Sequence, residues 1–259
     1  TVSQFFHFEV SRKKLEPHDR LFKRYLARMP LFSNYYIRDL SLHSFDRDID
    51  DPIPYAEQIL TDYDFIGITE RIDESLVAMM MLLDLEQSDI LYLKAKGHGH
   101  FDDGGFNQTC VYVQPSFVSP GMKEYFESEE WHTRIRGDTA LYKAANASLD
   151  RTIDEVLGRQ NFQTELRKFL KARRLAEETC QDTVVWPCDA SGTRRVVASG
   201  CLWHDSGCGF KCLDGVGMRF GAEEYTYKSG PWTNPDVSEK SASVSQSQSQ
   251  SHVHLLLLP

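Results

Sequence analysis

A proton acceptor, a fixed cation and two further acids fall together at Glu70, Arg71, Asp73 and Glu74. Such a group could take the proton of an attacking hydroxyl and hold an anion beside it. Acids in the first turn of a helix are equally what the helix dipole favours, by about 0.3–1 kcal/mol each when exposed. A second polar concentration is Lys94, Lys96, His98, His100, Asp102 and Asp103, set among Gly97, Gly99, Gly104 and Gly105. Mixed polar loops of this kind can line a ligand pocket, and they also serve as plain solvated connections. His98 and His100 stand two apart with no cysteine nearby, a spacing that says little about zinc. Residues 1–28 carry seven basic side chains (Arg12, Lys13, Lys14, Arg20, Lys23, Arg24, Arg28) against three acids (Glu9, Glu16, Asp19). That surplus is either a solvated helix face or a local anion site in an otherwise acidic chain.

The six cysteines are Cys110, Cys180, Cys188, Cys201, Cys208 and Cys212, five of them within 33 residues. Two or three disulfides stapling a small loop-rich lobe in an oxidising lumen is the natural reading. Fifteen full pairings are open to six cysteines, and spacing alone does not choose among them. The rival is a metal knuckle, Cys201-x2-His204-x3-Cys208-x3-Cys212, whose spacing approximates a zinc-ligand set. Asn107-Gln-Thr109 and Asn146-Ala-Ser148 are glycosylation sequons, the second inside a predicted helix.

The elements that must hold these residues can be read from periodicity. After a Pro- and Asp-rich connector at 50–54, residues 64–68 form a short apolar run of strand length. Thr69 is the expected N-cap of a helix whose inward face is Ile72, Leu76, Met79, Met80 and Leu83. Residues 89–93 read as a second strand, and strand, helix, strand within about 30 residues is a βαβ unit of a parallel sheet. Residues 94–120 read as loop, and helical periodicity returns over 122–131. A longer helix is predicted over 138–157, capped by Asp138, with Leu141, Ala145, Leu149, Ile153 and Val156 inward and Gly158 past its end. Phe162, Leu166, Phe169 and Leu170 mark one side of a further helix to about residue 178. From Ser229 the composition of Pro, Ser, Gln and Lys reads as a disordered tail.

Composition bounds the function. The chain has 259 residues, 41% hydrophobic and 26% charged, which suffices for a closed core and excludes collagen, coiled coil and wholesale disorder. The acidic balance, 38 Asp and Glu against 29 Lys and Arg, argues against a nucleic-acid partner. No apolar run approaches the roughly 20 residues of a membrane span. The first residue is Thr1 rather than a methionine, so a processed or partial chain is expected, and any anchor would lie outside it.

The string Phe65-Ile-Gly-Ile-Thr-Glu-Arg-Ile-Asp-Glu-Ser-Leu-Val77, followed at a distance by Asp89-Ile-Leu-Tyr92, resembles the strand-to-helix block of Golgi carbohydrate sulfotransferases. The likeness is to the galactose-3-O and uronyl-2-O branches and their algal and protist relatives. Asp138, Leu141-Tyr142, Ala145-Asn146 and Leu149-Asp150 are similar to the helix that follows in those families. The resemblance covers about residues 1–180 and is clearest from Asp64 to Leu93. It implies an α/β fold, a P-loop-like parallel sheet with flanking helices. That sheet would bind 3′-phosphoadenosine-5′-phosphosulfate (PAPS) as co-substrate, with a carbohydrate acceptor (oligosaccharide, glycolipid or proteoglycan chain) and no metal.

Residue by residue, Thr1-Val2-Ser3-Gln4-Phe5 resembles the end of the 3′-phosphate motif, with Ser3 in the serine position. Arg71, Lys94, Lys96, His98 and His100 are then expected on the substrate, and Glu70 is the in-chain candidate for the base. No Gly-Lys-Ser/Thr opens a helix. The phosphosulfate loop and the family's usual base are therefore expected upstream of residue 1, leaving this chain inactive by itself. Residues 1–179 would be the C-terminal part of the α/β domain, 180–228 a Cys-rich lobe and 229–259 the tail. The parent would be a Golgi-lumenal type II membrane protein. Two other classes compete: a secreted Cys-rich binding domain without catalysis, and a different P-loop enzyme such as a kinase.

Overall fold

Four successive buried residues, Phe65–Ile68, make β1, a strand covered on both faces. A computed structural model describes residues 2–28, 33–41, 51–94, 101–102, 110–195, 201, 207–218 and 255–258. Within them the protein is mostly helical with short strands. The opening residues form α1 (Val2–Phe5), continued as a π-helical turn to Ser11, and are followed by α2 (Asp19–Arg28), α3 (Tyr35–Leu40) and α4 (Ile53–Asp62). From β1 the chain passes a 3-10 turn (Thr69–Arg71) into α5 (Ile72–Leu83) and then α6 (Gln87–Ile90). Two-residue strands β2 (Phe101–Asp102) and β3 (Val111–Tyr112) pair antiparallel. Then come α7 (Pro120–Phe126), α8 (Glu129–Arg134), α9 (Arg136–Arg151) and α10 (Arg159–Cys180). Residues 210–218 are helical, and β4 (Leu255–Leu258) lies parallel to β1, Phe65 opposite Leu255.

β1 packs against both α5 and α9; α10 covers α5, and α4 covers α9. The main core collects Ile37, Ile59, Phe65, Ile68, Val77, Leu141, Leu149, Phe162 and Phe169. A second core gathers Phe5, Phe6, Phe22, Tyr25, Leu26 and Met122 from the opening segment, α2 and α7. Arg134 joins the two, its guanidinium donating to the Leu26 carbonyl at 2.9 Å while its own carbonyl accepts from Asn34 N–H at 3.0 Å. Gly137 permits the close approach of α9 to α3 and α4: a Cβ there would stand 2.4 Å from the Pro52 side chain.

Several expectations are corrected. Residues 89–93 are not a second strand. The Glu86 carboxylate accepts from the Asp89 N–H and Asp89 accepts from the Glu86 N–H at 2.8 Å, a capping box that satisfies the backbone locally as a helical turn. The parallel partner of β1 is instead β4, from the stretch expected to be disordered. On α5 the fully buried residues are Ser75, Val77, Ala78 and Met80, while Ile72, Leu76, Met79 and Leu83 are half-buried. That helix is apolar nearly all round and lies between β1 and α10, so one hydrophobic stripe does not define its inward face.

The expected 122–131 helix breaks at Ser128, whose hydroxyl caps α8 by accepting from Trp131 N–H at 3.3 Å. Leu141, Ala145, Leu149 and Ile153 are buried as expected, but Val156 is 68% exposed. The π turn Thr152–Val156 rotates it outward. On α10 the buried stripe is Phe162, Phe169, Ala172, Ala176 and Cys180, which leaves Leu170 at its edge.

The cysteines form three disulfides, Cys110–Cys188, Cys180–Cys212 and Cys201–Cys208. Their sulfurs are thereby consumed, which removes the knuckle of Cys201, Cys208 and Cys212; His204 lies outside the described residues. Cys180 is buried in the main core, and Leu213 and Val216 join it there. At this point the Cys-rich segment shares the main core.

Candidate active site at the carboxyl end of the buried strand

The turn after β1 is fixed by one side chain. Ser75, fully buried on α5, accepts from the Ile68 N–H at 2.8 Å and donates to the Ile68 carbonyl at 3.1 Å. Both backbone groups of the last strand residue are thus satisfied where the ladder ends and no water enters. This latch sets the 3-10 turn and with it the directions of Glu70 and Arg71.

The four polar residues of the motif separate into different roles. Arg71 donates to Glu74 at 2.6 Å, to the Asn146 side-chain oxygen at 2.8 Å and to Asp150 at 2.9 Å, tying the turn to α9. The Glu74 hydrogen bond raises the Arg71 pKa, partial burial opposes it, and Asp150 adds to the rise. Asp73 turns the other way, toward α10: it pairs with Arg173 and accepts from the Tyr92 hydroxyl at 2.9 Å. Burial first, and then the Asp73 carboxylate, push the Tyr92 hydroxyl above its ordinary pKa. For Arg173 burial works against the charge, and the bonds to Asp73 and Tyr92 more than restore it. Glu70 stands apart, exposed at the carboxyl end of β1 and in no ion pair among the described residues. Of the three acids, two are engaged in fastening helices and one faces solvent.

Other sequence-predicted residues are placed as follows. Ser3 lies within α1, whose Phe5 belongs to the second core, a cluster that contains no residue of β1. Lys94 is exposed, and its carbonyl accepts from the Gln181 side chain at 3.2 Å, beside the end of α10. Lys96, His98 and His100 lie outside the described residues. Arg71, expected on substrate, is held by α9. Asp138, expected to cap its own helix, instead caps α3 by accepting from the Tyr36 and Ile37 N–H groups at 3.0 and 3.1 Å. Burial raises its pKa, against the pull of those backbone donors and of Arg38.

Ser75, Tyr92, Asn146, Asp150 and Arg173 were not singled out from the sequence as parts of this site. Ser75 carried one signal, a lone hydroxyl in the apolar stretch 75–83; the others are brought in by tertiary packing alone. Among the described residues no group of acids, histidines and cysteines has the form of a metal site, and no helix is long and apolar enough to cross a membrane. No family model, no curated protein and no solved structure matches the chain.

Proposed function

We propose that this chain is part of a carbohydrate sulfotransferase, which moves a sulfuryl group from PAPS to a sugar hydroxyl. What supports this reading is the placement of the motif. The string that resembles the Golgi sulfotransferases forms a buried strand, a tight turn and a helix, and where the strand ends it leaves the exposed carboxylate of Glu70, in no ion pair among the described residues. The carboxyl ends of strands in open α/β sheets are where ligands sit. The finer fold that goes with the proposal is a P-loop-like parallel sheet, of which β1 would be one interior strand.

Sulfuryl transfer demands little covalent chemistry of a protein. The acceptor hydroxyl loses a proton, its oxygen bonds to sulfur in line, and the sulfur–oxygen bond to the leaving phosphate breaks. In this proposal Glu70 takes that proton, and Arg71 with Glu74, Asn146 and Asp150 keeps the turn rigid enough to position it. The described residues do not fit the donor's 5′-phosphosulfate. None of them forms a glycine-rich turn carrying a lysine into a helix, so no step here is assigned to a grip on that group. Three disulfides suit an oxidising lumen, such as that of the Golgi.

The test is transfer of radiolabelled sulfate from PAPS to galactosides and uronate-containing glycans by the full-length protein. The Glu70→Gln variant is expected to lose turnover at an unchanged melting temperature, because an exposed carboxylate in no ion pair among the described residues contributes little to stability. Absence of label on every acceptor would remove the proposal.

A further inference from the structure

Away from β1, a cleft of about 810 Å3 opens between the opening segment and the paired strands β2 and β3. This lies within the roughly 300–1,000 Å3 typical of small-ligand sites. Its floor is Phe6 and Val10, buried members of the second core. One wall is residues 11–17, where Lys14 takes a left-handed conformation (φ 53°) and turns the chain along the cleft. The other wall carries Phe101, Tyr112 and Phe117.

The walls are tied together. Gln114 N–H donates to the Ser11 hydroxyl at 3.0 Å, and the Phe6 and Phe117 rings meet edge to face at 4.9 Å. Cys110, itself in the lining, is bonded to Cys188. The turn after Cys188 supports Phe101 from behind. Gly192 there has φ 81°, and a Cβ on it would come within 2.8 Å of the Phe101 ring. The cleft is therefore preformed and braced by a covalent link.

Its chemistry is specific. Tyr112 and Phe117 are 39% and 50% exposed, so ring faces are open to a ligand. Arg12 and Lys14 line the same space and form no ion pair among the described residues; the Arg12 guanidinium lies over the Phe8 ring at 5.2 Å. Among the described lining residues Glu16 is the one acid, so those residues carry a net positive charge in a chain of net charge −9. Among the described lining residues there is no glycine, so they form no cradle of backbone N–H groups for a chain of phosphates. Aromatic faces with two separate cations match a ring that is apolar on one face and carries isolated negative groups at its edge.

We propose that this cleft binds an anionic saccharide, its sugar face on Tyr112 and Phe117 and its carboxylate or sulfate on Arg12 and Lys14. This goes beyond the carbohydrate-sulfotransferase reading and rests on it in one respect: a glycan acceptor would be gripped here at a stretch of the chain apart from the Glu70 turn, since no residue of β1 or α5 lines the cleft.

Titration calorimetry with the full chain tests it. The probe is a disaccharide of hexuronate and sulfated N-acetylhexosamine; its desulfated, carboxyl-reduced counterpart and adenosine 3′,5′-bisphosphate are the comparison ligands. The acidic disaccharide is expected to bind at least about 10-fold more tightly than the neutral one, since its contacts are charge-assisted. Arg12→Ala/Lys14→Ala is expected to weaken it by about 10-fold or more, and Phe117→Ala to weaken both sugars. All three residues are at the surface, and circular dichroism verifies that the variants fold. Lys143→Ala, a charge removed from exposed α9, is expected to change nothing. Equal binding of the neutral sugar, displacement of the acidic sugar by the bisphosphate, or full affinity in the double variant would each overturn the proposal. Sugar binding without sulfuryl transfer would keep the cleft and remove the enzyme reading. Transfer with KM unchanged in the double variant would do the reverse.

Discussion

Replacing Ser75 with alanine isolates the device that joins the strand to the candidate site. The hydroxyl satisfies both the N–H and the carbonyl of Ile68 in a fully buried position, at 2.8 and 3.1 Å. Alanine removes one oxygen, leaves a void too small for water, and strands two backbone groups. Each unsatisfied buried group costs about 1–3 kcal/mol, so about 3 kcal/mol is expected for the pair after some relaxation. For a chain of this size that corresponds to a fall in Tm of about 6–12 °C. Denaturant unfolding gives the free energy, and amide hydrogen exchange at Ile68 should quicken beyond that of Phe65 in the same strand. Ser191→Ala is the control. Its hydroxyl also bonds, to Asp189 at 2.6 Å, but it is exposed, and a loss under about 0.5 kcal/mol is expected. A loss below about 1 kcal/mol in Ser75→Ala, or an unchanged exchange rate at Ile68, would refute the argument that this latch sets the turn.

Other perturbations test separate parts of the molecule. Asn146 lies within α9 with its side-chain oxygen accepting from Arg71; secreted protein carrying Asn146→Gln should therefore keep the mass of its glycans by mass spectrometry. Burial raises the Asp138 pKa, so the folded state holds that proton more tightly than the unfolded chain. Its stabilisation is largest below the ordinary carboxylate pKa and is lost as pH rises through the raised one. Asp138→Asn keeps an acceptor for Tyr36 and Ile37, and its stability relative to the parent should increase with pH across that window in urea unfolding. Loop closure ranks the disulfides by sequence separation. Losses of about 4.5, 3.7 and 2.4 kcal/mol are expected for removing the bridges of separation 78, 32 and 7, in that order on denaturant unfolding.

Part of this architecture was legible in one dimension because it depends on neighbours close in the chain. The apolar run 65–68 and the turn into α5, the 3.6-residue stripes Leu141–Ala145–Leu149 and Phe162–Phe169, and the oxidation of clustered cysteines follow from local periodicity and composition. Residues 89–93 misled because their apolar run suits a strand, whereas the capping box of Glu86 and Asp89 satisfies the backbone as a helical turn first. Tertiary packing alone decided which carboxylate stays free. Glu70, Asp73 and Glu74 are chemically alike in the sequence. Their roles part because Arg173 arrives from 100 residues away to hold Asp73, while α9 brings Asn146 and Asp150 to Arg71 beside Glu74. The cleft has the same origin: its two cations come from the opening segment, and the rings of Phe101, Tyr112 and Phe117 come from the paired strands β2 and β3 and the residues after them. Ion pairs and cavities form between elements remote in sequence, so their partners are set by how helices and strands dock, and that docking leaves no periodic trace along the chain.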